Sequence, residues 1–264
     1  MAAIRGASAY AQAMSPDSRH PIGVVLYRTA VHAWALDLPG CIASARSLED
    51  LRATLPLVLA EHIGWLTGHG EHVADPGGWE IAETLDGASF ASTGGEFCFE
   101  ADRAPMSAGE LETAIARMAY ARADLLAAID GVPDAVLDWS PPASAFASFD
   151  AWAPEVRTIR DVVTHVLQLE AYYRGGLRDG ASSGVFERVV GPVEEGARTV
   201  ELLRSLTDDE RSRVFQPVRP SRTTAEEWTV RKLVRRVISH ERAHTAEIWQ
   251  RRSWVLIGAP VVRA

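Results

Sequence analysis

The polar and apolar positions of this chain change period near Ala104-Pro105. Before that point short β-branched and aromatic runs alternate with turn residues; after it the apolar residues recur at helical spacing almost without interruption. Ile22 to Tyr27 (Ile-Gly-Val-Val-Leu-Tyr) predicts a first strand, and Val31 to Leu38 a second, which Leu38-Pro39-Gly40 breaks. Cys41 to Ala45 predicts a third. Ser47 with Asp50 three residues on is a capping-box variant, and the helix behind it runs from Leu48 to about Leu66 on the stripe Leu51, Leu55, Val58, Leu59, Ile63 and Leu66. Pro56 falls inside this helix, where it removes a backbone donor and favours a kink. Trp79 to Leu85 and Glu96 to Glu100 are further candidate strands.

The second part predicts four main helices. Ser107 and Glu110 cap the first, whose stripe is Leu111, Ile115, Met118, Arg122, Leu125 and Ile129. Gly131-Val132-Pro133 stops it, and an aromatic-, Pro- and Ser-rich loop occupies Trp139 to Pro154. Thr158 caps the second helix, with Val162, His165, Leu169 and Tyr172 on its stripe. Pro192 begins the third, which ends near Leu206; Thr207 and Glu210 cap a short turn. Thr229 caps the last, whose stripe is Val230, Leu233, Val237, His240, His244 and Ile248. The predicted fold class is therefore α+β followed by all-α: a small antiparallel sheet packed on one helix, then a four-helix bundle. The expected layout is a loose tail over 1–20, the α+β domain over 21–104, the bundle over 105–257 and a short tail over 258–264.

Composition narrows the function classes. The 264 residues carry a net charge of −8, which argues against nucleic acid as a partner because phosphate binding needs a clustered basic surface. The one basic cluster, Arg231, Lys232, Arg235 and Arg236, is interleaved with apolar residues and reads as a solvated helix face. No stretch is apolar enough for a bilayer span, and the first twenty residues lack the apolar run of a signal peptide. Two cysteines, Cys41 and Cys98, lie far apart without metal-ligand spacing, so the expected compartment is the reducing cytoplasm.

The chemistry sits on the apolar stripes. His240 and His244 are one helical turn apart on the face that should be buried, where an imidazole without a partner is costly. A chain with eight histidines produces an i, i+4 pair by chance readily enough that spacing alone decides little. His165, on the buried stripe of a second helix, makes a third donor. Three imidazoles on facing helices can share one divalent ion and leave a coordination position open, as catalytic zinc sites do; the competing reading is three separate histidines satisfied by hydrogen bonds. Glu170, Glu241 and Glu247 are near these positions in sequence and read as solvent-facing groups or as acceptors for an imidazole N–H. None is assignable as a general base, so catalytic residues stay unassigned. His62, His69 and His72, around the end of the first long helix, read as surface histidines.

Pro105 to about Leu256 resembles the DinB-like superfamily of four-helix bundles. The resemblance rests on Thr158-Ile-Arg-Asp-Val-Val-Thr-His165 with the following Leu-Gln-Leu-Glu-Ala-Tyr-Tyr, on Glu227-Trp-Thr-Val-Arg-Lys-Leu-Val, and on His240-Glu-Arg-Ala-His244. It implies a divalent metal on His165, His240 and His244, with zinc the first choice and nickel, iron or copper compatible with the same imidazoles. It also implies hydrolase chemistry, or group transfer with a low-molecular-weight thiol, on a small molecule. Ile22 to about Gly68 resembles the HicB-like module through Val24-Val-Leu-Tyr, Trp34-Ala-Leu-Asp-Leu-Pro-Gly-Cys41 and Ser47-Leu-Glu-Asp-Leu. That likeness implies a sheet on one helix that serves as an interaction or antitoxin module. Two rivals to an enzyme follow: a non-catalytic metal- or ligand-binding protein, and an antitoxin-like partner binder. A homodimer is a further expectation, since bundles with apolar outer faces often pair.

Overall fold

The computed structural model describes residues 19–74, 77–87, 97–140, 156–181, 189–218 and 226–256. The two tails, residue 96 and most of the Trp139–Pro154 loop lie outside the described residues.

Three strands, β1 (His20–Leu26), β2 (Val31–Ala35) and β3 (Ile42–Ala45), form an antiparallel meander, as the turn residues between them require. Helix α1 (Leu48–Gly68) follows, capped by Ser47, whose side chain accepts from the Asp50 backbone N–H. It runs through Pro56, with Leu51, Leu55 and Leu59 buried on both sides of the proline. Strand β4 (Trp79–Asp86) then joins β1 in parallel, giving the order β3-β2-β1-β4. The sheet is therefore mixed rather than purely antiparallel: α1 is a crossover that returns the chain to the end of the sheet where β1 starts. Phe97 to Phe99 are buried but form no strand, and Glu100–Arg103 is a single 3₁₀ turn.

Both faces of this sheet are covered. Ile22, Val24, Ala33 and Ala43 pack on Leu51, Leu55, Leu59 and Leu66 of α1. Val25 and Trp34 pack on Phe97 and Phe99 on the opposite face. Phe99 approaches so closely that a Cβ on Gly23 would fall 2.7 Å from its ring.

The bundle comprises α2 (Ala108–Ile129), α3 (Ile159–Arg174), α4 (Pro192–Ser205) and α5 (Val230–Leu256), with capping boxes at Ser107/Glu110 and Thr158/Asp161. Helix α2 packs on α5 and α4, and α3 on α5 and α4, so each helix has two neighbours around one core. That core holds Leu111, Ile115, Met118, Tyr173, Leu203 and Leu233 toward one end, and Leu125, Val162, Val166 and Ile248 toward the other. Two short turns, Asp134–Leu137 and Asp208–Arg211, and a two-strand pairing of β5 (Gly180–Ala181) with β6 (Pro217–Val218) sit between helices.

Helix α5 also carries the sheet, and this overturns the solvated reading of the basic cluster. Lys232 and Arg235 are buried. Arg235 makes a two-pronged pair with Asp102, at 2.9 and 2.7 Å, and its guanidinium lies 5.0 Å from the Phe99 ring and 5.2 Å from that of Phe97. Thr229 donates to the Asp102 carbonyl at 2.7 Å. Two turns further on, Arg242 donates to His62 Nδ1 at 2.6 Å and to Glu61 at 2.9 Å, and its guanidinium lies 4.2 Å from the Trp65 ring. His62 is accordingly fully buried rather than on the surface. His69 is half-buried with its ring stacked on Tyr120, and only His72 of the three is exposed. A helix sandwiched between two cores has little solvent face left for its cations, so they pair or stack.

Candidate metal centre

The stripe positions of α3 and α5 face each other inside the bundle, and this brings the three predicted histidines together. His240 Nε2 lies 3.3 Å from His165 Nε2 and 3.1 Å from His244 Nε2, and the three donor atoms all lie within 4.8 Å of one another. A tetrahedral ion with metal–nitrogen bonds of about 2.0–2.1 Å holds its ligand nitrogens about 3.3 Å apart, close to the two separations made by His240 Nε2. His244 is buried, while His165 and His240 are half-buried, so the cluster opens on the side of these two. Burial, first, and the neighbouring imidazoles, next, hold His240 well below the ordinary imidazole range, which keeps it a neutral donor.

Glu247, one turn beyond His244 on α5, accepts from His244 Nδ1 at 2.8 Å. An imidazole that donates from Nδ1 to a carboxylate presents its Nε2 lone pair, here toward the other two histidines. Arg251 in turn donates to Glu247 through Nε at 2.8 Å and also holds the Arg157 carbonyl, so the carboxylate is fixed from two sides. Burial raises the Glu247 carboxyl, but the His244 hydrogen bond and the Arg251 charge outweigh it and keep the group ionised.

Glu241 and Glu170 are not solvent-facing. Arg122, the one charged residue on the α2 stripe, donates to Glu241 of α5, to Glu170 of α3 at 2.5 Å and to the Pro192 carbonyl at the start of α4. Thr199 of α4 donates to the other Glu170 oxygen at 2.5 Å and accepts from Arg174 at 3.0 Å. Arg174 pairs with buried Glu195 at 2.6 Å. One hydrogen-bonded network thus ties all four helices together at the level of the histidines. Burial pushes the Glu241 carboxyl up to about 7 in spite of Arg122. The sequence carried a signal for this network, an arginine where an apolar residue belongs; that for Glu247 was its i+3 spacing from His244.

Comparison with known proteins places the bundle segment in a family. The model of the DinB superfamily matches residues 117–248, half of the chain, and the match includes all three histidines. The chain belongs to the DinB superfamily. No curated protein matches it. Among solved structures, this DinB protein is similar to one described as "YfiT from Bacillus subtilis is a probable metal-dependent hydrolase with an unusual four-helix bundle topology", at 19% identity and a TM-score of 0.41, over 62% of this chain and 99% of that one. The DinB match starts inside α2, so the sheet, α1 and the turn that carries Asp102 lie ahead of the matched segment. Among the described residues, no helix is long and apolar enough to cross a membrane, and Cys41 and Cys98 are both free and buried.

Proposed function

We propose that this DinB protein binds one divalent metal ion through His165, His240 and His244 and uses it on a small-molecule substrate. The observation that supports the reading is the convergence of three Nε2 atoms from two helices within 4.8 Å, with one of the imidazoles oriented by a buried carboxylate. Zinc is the first choice, with nickel or iron compatible with three neutral imidazoles. Such an ion lowers the pKa of a bound water or thiol and polarises an electrophile beside it. Glu247 and Arg251 keep His244 in the ligating tautomer, and Arg122 with Glu241 anchors α5 against α2 and α4.

Hydrolysis and transfer from a low-molecular-weight thiol are the two reaction classes this arrangement serves. Three protein donors leave room for either nucleophile. The HicB-like reading of the N-terminal unit, supported by its strand-strand-strand-helix order, gives that unit the part of a cover or interaction module rather than of a catalyst.

Elemental analysis of purified protein tests the first claim. One equivalent of metal is expected in the wild type and a small fraction of that in His240→Ala; equal stoichiometry in the two would sink it. Assays of the metal-loaded protein with activated esters, and separately with a thiol plus an electrophile, distinguish the two reaction classes.

A further inference from the structure

The last turns of α5 present a face that the bundle does not use. Trp249 is 46% exposed and Leu256 85%, and seven residues place them on one side of the helix, while Ile248 and Arg251 are buried on the other. The guanidinium of Arg252 lies 4.3 Å from the Trp249 ring, and its Nη1 donates to the Ala128 carbonyl at 2.8 Å. That bond brings Trp249 to the C-terminal end of α2. There Leu126, Ala127, Ile129, Asp130 and Gly131 line an open recess of about 510 Å³. Gly131, at φ +64°, turns the chain off the end of α2, and a Cβ there would meet nothing within 4 Å. Asp130 is the C-cap of α2 and is exposed at the negative end of the helix dipole, where a carboxylate favours a nearby cation. Among the described residues, neither Asp130 nor Arg252 forms an ion pair.

One surface thus carries an aromatic knob with a cation stacked on it and, beside it, a recess with an anion on its wall. A two-fold interface needs such self-complementarity, because the same patch must serve both subunits. A Trp249 that enters the recess of a second copy carries its Arg252 to the partner subunit's Asp130, and the two-fold axis repeats both contacts. We propose that this face is the interface of a homodimer, with Trp249 seated in the partner's recess and Arg252 paired with the partner's Asp130. Trp and Arg are the residue types that dominate binding energy at interfaces, and an indole buries about 150–250 Å² when it is enclosed. The two charges select the occupant: neither an apolar peptide nor an anionic membrane supplies a cation for Asp130 and an anion for Arg252 at once. The interface contains no residue of the histidine cluster, so it stands independently of the metal reading.

Analytical ultracentrifugation of the full-length protein over a concentration series tests it. The wild type is expected to sediment as a dimer. Trp249→Ala is expected to weaken dimerisation by about 30-fold, the scale of a buried aromatic anchor, with the far-ultraviolet circular dichroism unchanged. Asp130→Arg and Arg252→Glu each set like charges against one another at both contacts, and each is expected to be monomeric alone. Mixed in equal amounts they are expected to form a heterodimer, since each then supplies the sign that the other lacks. An ion pair within one chain cannot produce that rescue. A monomeric wild type overturns the proposal, and so does a dimer that Trp249→Ala leaves equally tight or a pair of charge variants that fails to combine. A monomer that binds vesicles of anionic phospholipid through Trp249 overturns it in favour of a membrane face. If Arg252→Glu does not fold, Asp130→Arg decides: loss of the dimer supports the interface, and an unchanged dimer overturns it.

Discussion

Glu247 accepts a hydrogen bond from His244 Nδ1 at 2.8 Å, three residues along the same helix, with both side chains buried. The pair fixes the ring orientation of His244, one of the three candidate ligands. Removing the carboxylate frees the ring to rotate and to change tautomer. Glu247→Ala is expected to weaken metal binding by about 10- to 100-fold, the range typical of such supporting acceptors. Competition with a chromophoric chelator measures it, and an unchanged dissociation constant would show that Glu247 serves only Arg251.

The Arg235–Asp102 pair lies in the seam between sheet and bundle, with both side chains about 95% or more buried. Asp102→Ala leaves the guanidinium buried without its carboxylate and is expected to cost about 3–5 kcal/mol in unfolding free energy. The double variant Arg235→Met/Asp102→Leu is expected to recover much of that, because it removes the buried charge as well. Urea unfolding of both variants checks the contrast; equal losses would mean that the aromatic stacking under Arg235, rather than the ion pair, holds the seam.

Gly40 has φ +100°, and a Cβ there would lie 2.4 Å from Ile238 Cγ2 on α5. Backbone strain and steric clash act at the same position. Gly40→Ala is expected to destabilise the protein by about 1–3 kcal/mol. Thermal melting of this variant beside Gly64→Ala, where a Cβ meets nothing within 4 Å, separates the contact from a general effect of glycine replacement.

His62 is held down to about 2 by burial first and then by the charge of Arg242, with smaller effects from Arg117 and His20. The folded protein therefore refuses a proton that the unfolded chain accepts below its ordinary value of 6.5. Stability that is fully present above pH 6.5 should fall as pH drops, by up to about 1.4 kcal/mol per unit, or about 2 kcal/mol between pH 6.5 and 5. His62→Gln, which can still accept from Arg242, should lack this component. Chemical denaturation of both proteins at the two pH values tests it, and parallel pH profiles would exclude His62 as the source.

The helical periods, the caps at Ser47, Ser107, Thr158 and Thr207, and the three histidines on two stripes were all determined by the sequence alone. Periodicity and capping depend on residues within a turn or two of each other, and a stripe states which face will be buried before it states against what. The tertiary structure decided everything that depended on the partner across that face. The parallel pairing of β4 with β1, the burial of His62 and Lys232, the sharing of Arg122 by Glu170 and Glu241, and the convergence of His165 with His240 and His244 all join residues tens of positions apart. The largest divergence lies in the cations of α5. Spacing marks Lys232 and Arg235 as polar and therefore outward; only the second core, packed against the far side of that helix, leaves them no outward direction, so aromatic rings and a carboxylate take the place of water.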